Sequence, residues 1–169
     1  MVTDSVTYVP AGDADYVTDS SVVLRARNIG SCVAIAAVDP AQGVGGILHA
    51  LLPDARIDPF SSDSLSFNPY KYIPTGIPLF LRHIFDMGAE HRTLRVFTFG
   101  GYNLLAQNDQ LTFGQRNIVA VRRVLWQEGV LIHRQRLGGG GPLHFVQLDM
   151  DQHMVTTFHR KLGRTEYGT

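Results

Sequence analysis

The sequence predicts an α+β domain in which mixed or antiparallel β-sheets are flanked by helices, and three observations carry that expectation. Its periodic runs come in the order strands, helix, strand, helix, strands, which is not the alternation of a Rossmann unit. Hydrophobic residues make up 44% of the 169, enough apolar surface to drive a packed core without disulfides or metal. No composition shift, internal repeat or low-complexity tract divides the chain, so residues 1–169 read as one domain, with 1–20 and 159–169 as tails that could be mobile.

Each element follows from local pattern. Residues 21–26, 32–38 and 44–52 are β-like, and Asp39-Pro40-Ala41-Gln42-Gly43 supplies turn chemistry that should make the last two a hairpin. Residues 54–69 form a polar stretch without periodicity, long enough to be a lid or a binding loop. Ile77, Phe80, Leu81, Ile84 and Met87 then fall at helical spacing, with Thr75 as the expected N-cap, Pro78 in the first turn and Gly88 as the stop. Residues 94–99 read as a strand ending at Gly100-Gly101. Residues 116–128 read as a second helix with Ile118, Val121 and Leu125 on one face and Gly129 closing it; Trp126 is expected in the core. Strands at 130–137, 143–148 and 155–158 complete the chain, with Gly138 to Gly141 expected as a hairpin turn.

Charge and composition remove several function classes. Fifteen basic residues balance fifteen acidic ones, so the chain has no net field to hold a phosphate backbone. No apolar run approaches the length of a membrane span, and the polar start lacks a secretory pattern; the expected location is the cytoplasm. His144, His153 and His159 are too widely spaced for a compact metal motif and read as surface residues. Arg122, Arg123, Arg134 and Arg136 fit either a basic patch facing an acidic partner or a solvated helix face and strand edge.

The single cysteine excludes an internal disulfide, leaving Cys32 as a small buried hydrophobe or a reactive thiol. It follows Asn28-Ile29-Gly30-Ser31, a bend in which Gly30 and Ser31 allow close backbone approach, so that main-chain N–H groups could lower the thiol pKa and hold an oxyanion. His49 interrupts the apolar run Ile47-Leu48-His49-Ala50-Leu51-Leu52, and a buried imidazole needs a partner. Centring the hairpin turn on Ala41 puts Cys32 opposite Ala50, one place from His49; a bulge at Gly45-Gly46 would bring the two onto one face. A cysteine and a histidine in contact are the minimum unit of thiol catalysis.

Gly30-Ser31-Cys32-Val33-Ala34, Asp39-Pro40 and Gly45-Gly46-Ile47-Leu48-His49-Ala50-Leu51-Leu52-Pro53 together resemble the CheD family of chemoreceptor glutamine deamidases. Met87-Gly88-Ala89, Phe99-Gly100-Gly101 and Gly114-Gln115-Arg116-Asn117 follow in the family's order. The resemblance implies an α/β sandwich related to toxin-type cysteine deamidases, with Cys32 as nucleophile, His49 as its base and backbone at Gly30 and Ser31 around the oxyanion. It implies methyl-accepting chemotaxis receptors as substrates, a CheC-type phosphatase as a further partner, and no metal or organic cofactor. Three departures stand out. The family's threonine six residues before the cysteine is Ala26 here, the glycine-rich turn at 138–141 leads into Pro142-Leu143 rather than an arginine, and the 54–69 connection is longer. The absent hydroxyl keeps an alternative open: a weakly active or inactive binding module of the same fold that docks on receptors or on the phosphatase.

Overall fold

The computed structural model describes residues 5–61, 67–103 and 112–169, in which two five-stranded sheets pack face to face and two helices cover the outer face of one of them. The first sheet has the order β1 (Ser5–Val9), β3 (Val22–Ile29), β8 (Leu143–Asp149), β9 (Met154–His159), β10 (Gly163–Gly168). The second has the order β2 (Asp13–Val17), β5 (Val44–Ala50), β4 (Val33–Asp39), β6 (Arg95–Gly100), β7 (Ile132–Leu137). The β1–β3 and β6–β7 pairs are parallel and the others antiparallel, so both sheets are mixed, as expected.

Strands β4 and β5 lie at the centre of this arrangement, and every one of their residues is buried. Two apolar layers meet on them, which is why their sequences show no polar alternation. Val33, Ile35, Leu48 and Ala50 face α1 (Ile73–Asp86) and α2 (Phe113–Gln127). Ala34, Ala36, Val38 and Ile47 face Leu24, Ala26, Val146 and Leu148 across the gap between the sheets. His49, next in register to Ala34, belongs to this inner layer.

The structure corrects several details of the sequence reading. The ends expected as tails instead supply β1, β2 and β10, short polar strands at or near sheet edges. Helix α1 starts before Thr75, whose hydroxyl donates to Pro69 O at 2.7 Å within the first turn; Pro78 is inside the helix. Helix α2 starts at Phe113, where Thr112 and Gln115 form a capping box. Trp126 is not core but 79% exposed, and Leu131 beside it 88%. Residues 138–141 do not close a hairpin, because β7 and β8 lie in different sheets. His159 is buried, its Nδ1 accepting from the N–H groups of Lys161 and Leu162 at 3.1 and 3.0 Å. In the 54–69 segment the Asp58 carboxylate accepts from Tyr72 Oη at 2.7 Å and from Lys71, tying its first part to the start of α1; residues 62–66 lie outside the described ones.

Among the described residues no helix is long and apolar enough to cross a membrane.

Candidate active site

The bend before β4 is held rigidly from below. Asn28 takes a positive φ of 58°, one of the few non-glycine types that does so readily. Three consecutive carbonyls of the bend are each fixed by a donor from another part of the chain. Gly30 O accepts from Tyr102 N at 2.9 Å, Ser31 O from Asn117 Nδ2 at 2.8 Å, and Cys32 O from Gly101 N at 2.9 Å. Gly100 makes the last of these possible: its φ is +109°, and a Cβ there would run into Cys32 O.

Asn117 is the residue that sequence reasoning missed. It is fully buried, and the same amide nitrogen that holds Ser31 O also donates to Leu51 O at 3.0 Å, linking the bend before β4 to the chain just beyond His49. The signal was present, since Asn117 falls three and four residues before Ala120 and Val121 on the buried stripe of α2. A polar side chain on such a stripe has work to do for the backbone around it.

Cys32 and His49 meet. The β4–β5 register pairs Val33 with Ala50 and Ala34 with His49, so Cys32, two places before Ala34, projects to the same face as His49. Cys32 Sγ lies 3.2 Å from His49 Nε2 and 3.7 Å from Asn28 O. This contact needs no bulge, and none interrupts the ladder. A turn centred one half-place later than the sequence suggested is sufficient. Gly45 and Gly46 serve packing instead. A Cβ at Gly45 would sit 2.7 Å from Met150 Sδ, and one at Gly46 would sit 3.0 Å from the Phe80 ring of α1.

The pair opens into a cleft of about 490 Å³, walled by Tyr8, Val9, Pro10 and Ala11 from the end of β1, by Arg27 and Asn28, and by Leu51. Burial sets the protonation states. It pushes the Cys32 thiol above its ordinary value, opposed in part by the Gly30 and Cys32 backbone N–H groups. It pulls His49 from 6.5 down to about 4, opposed in part by the Val9 backbone. Burial therefore favours the uncharged forms of both the thiol and the imidazole in the resting pair. The bend's N–H groups do pull the thiol down, as expected, but burial outweighs them.

Iodoacetamide alkylation of Cys32 should accordingly rise with pH around a midpoint above the ~8.5 of a free thiol. A midpoint near 7 would mean that a thiolate–imidazolium pair already exists in the free protein.

The far side of the imidazole is incomplete. His49 Nδ1 is buried without a hydrogen-bond partner among the described residues. The Val9 main chain is near enough to favour a charged ring but is not in hydrogen-bond geometry with it. Asp13 stands opposite His49 in the β2–β5 register, yet its carboxylate accepts from Ala14 N at 2.8 Å. Asn28 contributes its carbonyl to Cys32 and makes no bond to the ring. Ala26, fully buried in the layer between the sheets and paired in register with Val9, offers only a methyl group.

Comparison with known proteins places the chain in a family. A scan against protein families matches residues 51–157 to CheD, described as CheD chemotactic sensory transduction; that span begins just after His49. The Probable chemoreceptor glutamine deamidase CheD of Solibacter usitatus is 35% identical over 117 residues, covering 69% of this chain and 68% of that protein. The Probable chemoreceptor glutamine deamidase CheD 1 of Syntrophus aciditrophicus is 36% identical over 116 residues, 69% and 71% of the two chains. The corresponding protein of Thermococcus kodakarensis is 32% identical over 136 residues, 79% and 81%. Bacillus licheniformis hypothetical protein YfiH, a solved structure, superposes with a TM-score of 0.42 at 16% identity over 80% of this chain and 60% of that one. With a family match over more than half its length and relatives above 30% identity that it spans by two thirds or more, this chain belongs to the CheD family.

Proposed function

We propose that this protein deamidates glutamine side chains of chemotaxis receptors through a cysteine thioester, with Cys32 as nucleophile and His49 as the group that takes and returns its proton. The observation that carries this is the 3.2 Å contact between Sγ and Nε2 at the floor of an open cleft, in a chain whose relatives are named as chemoreceptor glutamine deamidases.

Nε2 takes the thiol proton as sulfur adds to the amide carbon. The oxygen that becomes negative is held by backbone N–H groups in the run from Gly30 through Ser31 to Cys32. The C–N bond then breaks while the imidazolium returns its proton to nitrogen, and ammonia leaves a thioester. His49 next deprotonates a water that attacks the thioester; the C–S bond breaks, the thiol is restored and glutamate is released. Because both groups are neutral at rest, charge develops only in the transition state, where the fixed N–H groups of the bend stabilise it most. The cycle uses no metal and no organic cofactor. It takes place in the cytoplasm, where a CheC-type phosphatase is a second partner.

Mass spectrometry of a receptor cytoplasmic fragment incubated with the protein tests the reading: each converted glutamine gains about one dalton as amide becomes acid. A fragment of unchanged mass would contradict it.

One observation favours a slower enzyme, or a binding module, over a fully active one. Among the described residues nothing bonds Nδ1, and a buried polar nitrogen left without a partner costs about 1–3 kcal/mol. A threonine at position 26, in register with Val9 whose main chain lies near the ring, would bring a hydroxyl to this side of the inner layer. Ala26→Thr should therefore raise the single-turnover rate more than about tenfold, or ~1.4 kcal/mol of barrier, even though the added atoms strain a filled core. If neither parent nor Ala26→Thr converted any glutamine while both still bound receptor, the binding-module reading would replace the enzyme.

A further inference from the structure

Arg27 projects from β3 at the rim of the Cys32–His49 cleft, where its guanidinium lies 5.6 Å from the centroid of the Tyr8 ring. Tyr8 is itself 52% exposed at the same rim. Among the described residues no carboxylate pairs with Arg27, whereas Arg56 and Arg92 each have one. The other described groups lining the cleft carry no formal charge at neutral pH, His49 included because burial holds it down, so among the described residues Arg27 is the one formal charge that an incoming segment meets there. Its charge is not spent on the thiol, whose ionisation is governed by burial and by backbone N–H groups.

A glutamine side chain is neutral and gives such a charge nothing to grip. We infer that Arg27, held near the Tyr8 ring by a cation–π contact, is a specificity residue that reads a carboxylate flanking the target glutamine, so that the cleft prefers glutamines set among acidic residues. The inference rests on the proposed deamidation of glutamine and adds the sequence context that it selects. A guanidinium in a cation–π contact retains N–H groups for a bidentate bond to a carboxylate, which a flexible ammonium would not hold in one orientation.

The test uses three peptides, each with one glutamine and with glutamate, alanine or lysine one helical turn to either side. The parent should show a kcat/KM about fivefold higher for the glutamate peptide than for the alanine peptide, the order expected of an exposed ion pair, and the ratio should shrink toward one in ~1 M salt. Arg27→Gln should remove the ratio, and Arg27→Glu should invert it in favour of the lysine peptide. The same peptides are titrated by fluorescence anisotropy against Cys32→Ala and against Cys32→Ala carrying each Arg27 change, so the ranking is read in Kd even without turnover. Loss and inversion of the ranking support the inference; a ranking that survives both Arg27 substitutions, or is absent from the parent in both measurements, overturns it. A parent that ranks the peptides by binding but converts none would leave Arg27's role intact and count against the deamidase.

Discussion

Replacing Cys32 with alanine is expected to remove all glutamine conversion while leaving receptor binding within a few-fold of the parent. Among the described residues lining the cleft the sulfur is the strongest nucleophile for an acyl bond, and His49, pulled down to about 4, is too weak a base to drive direct attack by water on an amide. Binding should survive because the cleft walls, from Tyr8 to Ala11 on one side and Arg27 and Asn28 on the other, owe nothing to the thiol. The bend should survive too, since its three carbonyls are held by Tyr102, Asn117 and Gly101 through the backbone of residues 30–32, not through the cysteine side chain. Conversion by Cys32→Ala at the parent's rate would mean that the nucleophile lies elsewhere.

His49→Gln carries the second large effect and reports on two properties at once. Glutamine can accept from the thiol but cannot carry its proton, so single-turnover conversion should fall by about a hundred- to ten-thousand-fold. The same substitution should change the acid stability of the fold. An unfolded chain protonates this histidine below about 6.5, whereas the folded chain resists until about 4, so acid favours unfolding throughout that window. At about 1.36 kcal/mol per pH unit the parent should lose ~3 kcal/mol of stability between pH 6.5 and 4, and His49→Gln should not show that loss. Denaturant unfolding across this range measures it. The Asp58 carboxylate, held down to about 2 by Lys71 and Tyr72, is lost from the balance only at lower pH, as the medium falls below the ordinary carboxylate value of 3.8 toward 2. A parent whose stability is flat from pH 6.5 to 4 would show that the imidazole is not shielded as the geometry requires.

What could be read from the sequence depended on how local the signal was. The β4–β5 hairpin, the strand before it, β6 and both helices announced themselves by apolar period and turn chemistry, and Cys32 and His49 stood out as chemically costly residues at the edges of apolar strands. Their contact was legible in outline, but its register was not: the four residues between Asp39 and Val44 shift every pairing by one place, which only the folded hairpin displays. Strands β1, β2 and β10 escaped because they are short, polar edge strands; β1 and β2 are completed by β3 and β5 further along the chain, while β10 folds straight back on β9 but carries too few apolar residues to signal a strand. Gly45 and Gly46 were read as a bulge because a glycine pair marks either irregular backbone or close packing, and sequence does not distinguish an opposing Met150 and Phe80 from a kink. Trp126 was assigned to the core on residue type, against its own position: it follows Leu125 by one residue on α2 and so turns about 100° away from the buried stripe. Asn117 was read only as part of the entrance to the second helix, and its place on the buried stripe, legible by position, was given no role.

The most direct test of the account is to incubate a receptor cytoplasmic fragment with the protein in 18O-labelled water and sequence its peptides by mass spectrometry. A thioester on Cys32 resolved by water predicts that specific glutamines become glutamates carrying one 18O, a gain of about three daltons each, and that the Cys32→Ala protein produces none. Glutamines that keep their mass in both samples, or that gain label equally with and without Cys32, would contradict it.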